Sequence, residues 1–138
     1  MAVVYNEKKK DLPCEQLHRL FMSAGWVRGE TPHLFENFNK PFINSTLVVS
    51  AWENKRLVGA VRVISDKIIR SVIYDLVIDP EFQNRGIGKE LVRRCMKRFP
   101  ESEWLVGCDK KNNGFYMKLG FQDISESGNF LVIPCKLF

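Results

Sequence analysis

A chain of 138 residues suits a single domain, residues 1–138. Its 45% hydrophobic and 27% charged residues exclude a disordered chain. Its net charge of +5, from 21 basic against 16 acidic residues, suits an anionic ligand but is too small and scattered to predict a nucleic-acid partner. No apolar run approaches the roughly 18 residues of a membrane span. The opening Met1–Asn6 lacks the pattern of a signal peptide. A cytoplasmic protein with no membrane partner is therefore expected. Cys14, Cys95, Cys108 and Cys135 form no CxxC pair, and His18 and His33 have no companions at ligand spacing, so reduced thiols and no metal site are expected.

The predicted elements begin with a short strand at Val3–Tyr5. Asp11 is a candidate cap for a helix with Leu17, Leu20, Phe21 and Ala24 on one stripe and Gly25 as its stop. Thr31-Pro32 signals a second helix carrying Phe35 and Phe38 and ending before Pro41. Strands at Thr46–Trp52, Leu57–Ile64 and Ile68–Ile78, joined by short polar turns, predict an antiparallel meander. From Gly88 the period becomes helical, with Leu91, Val92, Cys95, Met96 and Phe99 on one face and Pro100 as the stop. Trp104–Cys108 reads as a buried strand reached through that helix, which makes a β-α-β crossover and a parallel pair. A short helix at Asn113–Leu119 stops at Gly120, and Leu131–Cys135 supplies a last strand. The predicted class is α/β: a mixed sheet, antiparallel on its N-terminal side, with a central β-α-β crossover and flanking helices.

The informative segment is Gln83-Asn84-Arg85-Gly86-Ile87-Gly88-Lys89, between a strand and a helix. Glycines let successive backbone N–H groups approach one anion, because no Cβ blocks them and positive φ is cheap. The following helix adds its unpaired first-turn N–H groups and the positive end of its dipole. Arg85 and Lys89 add charge, so the segment suits a phosphate or a pyrophosphate. Neither the dinucleotide fingerprint GxGxxG nor the P-loop GxxxxGK[ST] is present. A turn followed by a helix start is the plainer reading of a lone GxG.

The stretch Asp75–Leu91 resembles the acetyl-CoA-binding motif of the GNAT N-acetyltransferase family, [Q/R]-x-x-G-x-[G/A]. Phe115-Tyr116-Met117-Lys118-Leu119-Gly120-Phe121 is similar to that family's second signature, a tyrosine shortly before Gly-Phe. The resemblance implies a GNAT fold and direct attack of a substrate amine on acetyl-CoA, without an acyl-enzyme. It implies that the backbone of Gln83, Asn84, Arg85, Gly86, Ile87 and Gly88, with Lys89 beside it, holds the pyrophosphate. Leu76, Val77 and Ile78 would pair strand-like with the pantetheine arm, and Tyr116 would lie near the sulfur. Many members carry Asn where this chain has Asp109, which leaves Asn112 and Asn113 as the candidate cofactor contacts on that segment. The pattern around Asp109, with Val58-Gly59, Arg62 and Ser65-Asp66 upstream, looks like a subgroup that includes plant chloroplast enzymes and small bacterial members. Homodimers are common in the family, so a homodimer is one expectation.

The reaction needs a base for a protonated amine and a proton donor for the departing thiolate. Tyr116 is the candidate acid. Asp75 is the candidate base, because it interrupts an apolar strand where a carboxylate needs a partner or a wet cleft. A salt bridge to Arg62 is the competing reading, with Glu81, Asp79 or a water relay as other bases. Cys108 is read as a packed strand thiol rather than a nucleophile, having no His close in sequence. The acceptor is expected to be a small amine or a lysine. Trp26, Phe35, Phe38 and Phe42 suit either an aromatic pocket or core. Arg93, Arg94, Lys97 and Arg98 read as the solvated face of a helix. A CoA-sensing module without catalysis is the alternative function.

Overall fold

The computed structural model describes residues 2–26, 36–128 and 130–136. The chain divides into two compact units, 1–107 and 108–138. The first holds strand β1 (Val4–Asn6), helix α1 (Cys14–Ser23), a short helix α2 (Lys40–Ile43), strands β2 (Leu47–Glu53), β3 (Arg56–Ser65) and β4 (Arg70–Ile78), helix α3 (Ile87–Arg98) and strand β5 (Glu103–Val106). The second holds a one-turn helix α4 (Asn113–Met117).

The sheet runs in sequence order, β1-β2-β3-β4-β5. The first three pairings are antiparallel and β4–β5 is parallel, as expected for a strand reached through a helix. That last pair extends only from Arg70↔Glu103 to Ile73↔Val106. From Tyr74 to Ile78, β4 has no partner on its β5 side among the described residues. The fork coincides with a bulge. Ala60 faces Val77 and Arg62 faces Tyr74, so Asp75 and Leu76 together oppose Val61. Asp75 takes a left-handed φ of 54°, which re-aims the strand at that point.

Both faces of the sheet are covered, which is why β2 and β3 read as continuous apolar runs rather than alternating ones. On one face Leu17, Leu20 and Phe21 of α1 and Phe42 of α2 pack with Val48, Ala60 and Val77. On the other lies α3, through buried Ile87, Leu91, Val92 and Cys95. Fully burying a side chain of this size is worth about 1.5–3 kcal/mol. Gly59 lets α3 sit close. A Cβ there would lie 3.1–3.3 Å from Ile78, Leu91 and Ile87.

Several boundaries differ from the sequence reading. Asp11 does not cap α1; it lies 3.7 Å from Lys9, and Pro13 precedes the helix. Pro41 sits in the first turn of α2 rather than ending a helix, since its missing N–H has no intrahelical role there. Thr31, Pro32 and Phe35 lie outside the described residues. Leu131–Cys135 is not a strand. Phe130, Leu131, Val132 and Ile133 are 80–94% exposed, and Pro134 interrupts the run with a residue that cannot donate to a ladder.

Candidate active site

The loop after β4 is built from buried anchors at its start and open main chain at its end. Asp79 closes β4 and caps a 3₁₀ turn at Pro80–Phe82, its Oδ1 accepting from Glu81 N–H at 3.0 Å. Its Oδ2 accepts from Arg56 Nη2 at 2.8 Å and Arg19 Nη1 at 3.4 Å. Phe82 is buried, with the guanidinium of Arg85 4.8 Å from its ring centroid. Gln83 is extended and its side-chain amide donates to Ile78 O at 3.4 Å. Asn84 and Gly86 then take left-handed φ values of 63° and 82°.

Gly86 is the residue before α3, and the first intrahelical bond runs from Glu90 N–H to Gly86 O at 3.0 Å. The N–H groups of Ile87, Gly88 and Lys89 precede that bond and have no intrahelical acceptor. Those of Asn84, Arg85 and Gly86 have no backbone acceptor among the described residues. Residues 83–86 are exposed, and nothing lies within 4 Å of where a Cβ on Gly86 would stand. This is a row of free donors at a helix start with open space before it, suited to an anion. Leu76, Val77 and Ile78 precede it on the unpaired edge of β4.

Asp75 is ion-paired to Arg62 Nε across the bulge. Arg62 also reaches Ser45 Oγ at 3.5 Å and stands 5.9 Å from the Phe42 ring centroid and 5.4 Å from that of Tyr74. The salt bridge weighed against the base role is thus formed, on the face that carries α2. Phe38 and Phe42 meet Phe21 edge-to-face at 5.2 and 6.1 Å and so belong to the core. Trp26 is half exposed beside Phe21, with centroids 5.5 Å apart.

In the second unit, Tyr116 is 8% exposed and meets the rings of Phe115 and Phe121 at 4.9 and 5.5 Å. Burial pushes its phenol up to about 12, with nearby Cys108 acting in the same direction. Asn113 accepts from Cys108 Sγ at 3.4 Å and donates to Asp123 Oδ2 at 3.4 Å, while Asn112 is exposed at the start of α4. Cys108 lies beyond β5 and is exposed rather than packed in a strand. Its thiol is pushed up by desolvation and by Asp109 and Asp123, which disfavours a nucleophilic thiolate.

The burial of Asp79 is what the sequence reading lacked, since it listed Asp79 only among the alternative bases. The basic face of α3 is largely neutralised. Arg94 pairs with Glu90 at 2.9 Å and Glu7 at 3.1 Å, Arg93 with Glu90 at 3.2 Å, and Arg98 with Glu7 at 3.7 Å.

The mixed α/β fold is shared with solved GNAT acetyltransferases. It superimposes on a GNAT family acetyltransferase from Streptococcus pneumoniae with a TM-score of 0.79, 22% identity and 98% coverage of both chains. It also superimposes on a Clostridium acetobutylicum acetyltransferase solved with acetyl-CoA, with a TM-score of 0.67, 18% identity and 96% coverage of both. The family model of the GNAT acetyltransferase domain matches residues 18–134. The chain belongs to the GNAT acetyltransferase family. Relatives named uncharacterized N-acetyltransferase ycf52, from Pyropia yezoensis and Gracilaria tenuistipitata var. liui, are 28% and 32% identical over 86% and 76% of this chain. The chain spans 70% and 59% of their lengths. The histone acetyltransferase TAP1 of Glycine max is 32% identical over 81% of this chain and 53% of its own.

Proposed function

We propose that residues 1–138 act as one acetyltransferase domain that moves an acetyl group directly from acetyl-CoA to a primary amine, a small amine or a lysine. The carrying observation is the row of unengaged N–H groups from Asn84 to Lys89 with open space at Gly86. These residues fit a diphosphate, and Arg85 and Lys89 add positive charge. The unpaired edge at Leu76, Val77 and Ile78 offers main-chain donors and acceptors to an extended pantetheine arm. Asn112 and Asn113 stand as secondary cofactor contacts. When bound, acetyl-CoA supplies an activated thioester.

In this reading Tyr116 Oη holds a proton for the departing sulfur. Its raised pKa keeps it a donor throughout the neutral range and penalises the tyrosinate. Asp75 accepts the proton of the acceptor ammonium, with Arg62 fixing its carboxylate. The name of the Glycine max relative favours a lysine acceptor. No helix among the described residues is long and apolar enough to cross a membrane. The cytoplasm is the proposed compartment. Two Arabidopsis thaliana relatives named chloroplastic favour a plastid as the second reading. Homodimerisation belongs to the same proposal, and light scattering of the full chain tests it.

The decisive measurement is free CoA thiol released from acetyl-CoA in the presence of polyamines, aromatic amines, amino acids and lysine peptides. Turnover with one class is expected. Gly86→Glu, which places a carboxylate in the open space, is expected to weaken acetyl-CoA binding by about a hundredfold or more. Unchanged affinity would refute the loop assignment. Tight CoA binding with no transfer to any amine would instead favour the CoA-sensing module.

A further inference from the structure

We propose that Asp79 is the positioning residue of the diphosphate loop, so that the hold on the cofactor depends on its carboxylate. This rests on the reading that the loop binds CoA. Every polar group of Asp79 is engaged. Its N–H donates to Val58 O at 2.9 Å and its carbonyl accepts from Phe82 N–H at 2.8 Å. Its two carboxylate oxygens take the Glu81 N–H and the guanidinium groups of Arg19 and Arg56. At 2% exposure this is a buried charge whose desolvation is offset, among the described residues, by these partners. Arg19 comes from α1 and also donates to Leu57 O at 2.9 Å; Arg56 comes from β3. The carboxylate therefore ties the loop to two elements of the core.

The tie propagates along the loop. Arg56 also stands 3.6 Å from Glu81 Oε2 and 5.6 Å from the Phe82 ring centroid. Phe82 is thereby held from both its backbone and its ring, and it is the surface on which Arg85 stacks. Asn84 is left-handed without being glycine, a conformation that costs on the order of 1 kcal/mol and persists only where its surroundings impose it. Asp79 and Phe82 anchor the segment that leads into it.

Charge and position predict opposite signs. Asp79→Asn removes one negative charge beside Arg19 and Arg56, so simple attraction would tighten the hold on an anion. Loss of position would loosen it. With the full chain, CoA titrated calorimetrically is expected to bind Asp79→Asn about tenfold or more weakly. The KM for acetyl-CoA should rise in step, and kcat should stay within about threefold. Ligand-free amide exchange at Glu81, Phe82 and Gln83, whose N–H groups are bonded within the turn that Asp79 holds, should quicken while β2 and β3 keep their protection. Unchanged or tighter CoA binding, or a fall in kcat at constant KM, would overturn the proposal. If Asp79→Asn fails to fold, Arg56→Gln leaves Arg19 and the Glu81 N–H on the carboxylate. Quickened exchange at Glu81, Phe82 and Gln83 in that variant supports the proposal, and unaltered exchange overturns it. A wild-type chain that takes up no CoA defeats the loop reading itself, and the ligand-free exchange comparison then decides whether Asp79 holds the loop.

Discussion

Tyr116 keeps its proton because its ring is enclosed by Phe115 and Phe121 and a phenolate there would lose its hydration. Under the proposed reaction, Tyr116→Phe removes one donor and little volume. It is expected to lower kcat by about 10²–10⁴ while leaving the KM for acetyl-CoA within about threefold, read by initial-rate kinetics. Asp75 raises a different question, because its carboxylate already serves Arg62. Asp75→Asn keeps the shape of the bulge and weakens the pair. A fall in kcat with wild-type melting would assign it to proton transfer, whereas lost melting temperature with kcat retained would assign it to structure. The Arg62 pairing was legible in the sequence as neighbouring-strand chemistry. The burial of Asp79 was not, because it depends on Arg19 and Arg56, 60 and 23 positions earlier in the chain.

Helix α3 shows why the central elements were readable and their edges less so. Its apolar stripe repeats at helical spacing and buries Leu91, Val92 and Cys95, so the pattern identifies the helix. Its start comes at Ile87 because Gly86, left-handed, turns the chain into it; composition alone puts the start near Gly88. The short strand Glu103–Val106 was found from its apolar run, whereas Leu131–Cys135 has the same character and no ladder. Periodicity records what a segment prefers to bury, and pairing depends on what lies next to it. Gly59 is a further position whose role is set by its neighbours. Its would-be Cβ already stands 3.1–3.3 Å from Ile78, Leu91 and Ile87, so the branched side chain of Gly59→Val must push them away. A loss of about 1–3 kcal/mol is expected in urea titration, with weaker CoA binding because Ile87 begins α3.

At the scale of the whole chain, burial couples folding to alkaline pH, most strongly at Cys95 and Tyr116. Burial raises the Cys95 thiol from 9.0 to about 12 and the Tyr116 phenol from 10.0 to about 12. The folded chain keeps both protons where the unfolded chain releases them. Their stabilising effect is therefore complete below about pH 9 and is lost progressively as pH climbs towards 12. Melting temperature measured from pH 8 to pH 11 is expected to decline across that window, and Cys95→Val is expected to flatten part of the slope. The family match spans both units, with the loop motif in one and the tyrosine motif in the other.

The parting of β4 from β5 beyond Ile73 and Val106 has an evolutionary corollary. A peptide group is the same in every amino acid except proline, so recognition through bare main chain is immune to most mutation. Such a seam can persist while side chains drift, in keeping with a shared fold at 18–22% identity. Under the proposed reading the substitution least tolerated is proline at Leu76 or Ile78, which deletes a donor on the edge facing away from β3.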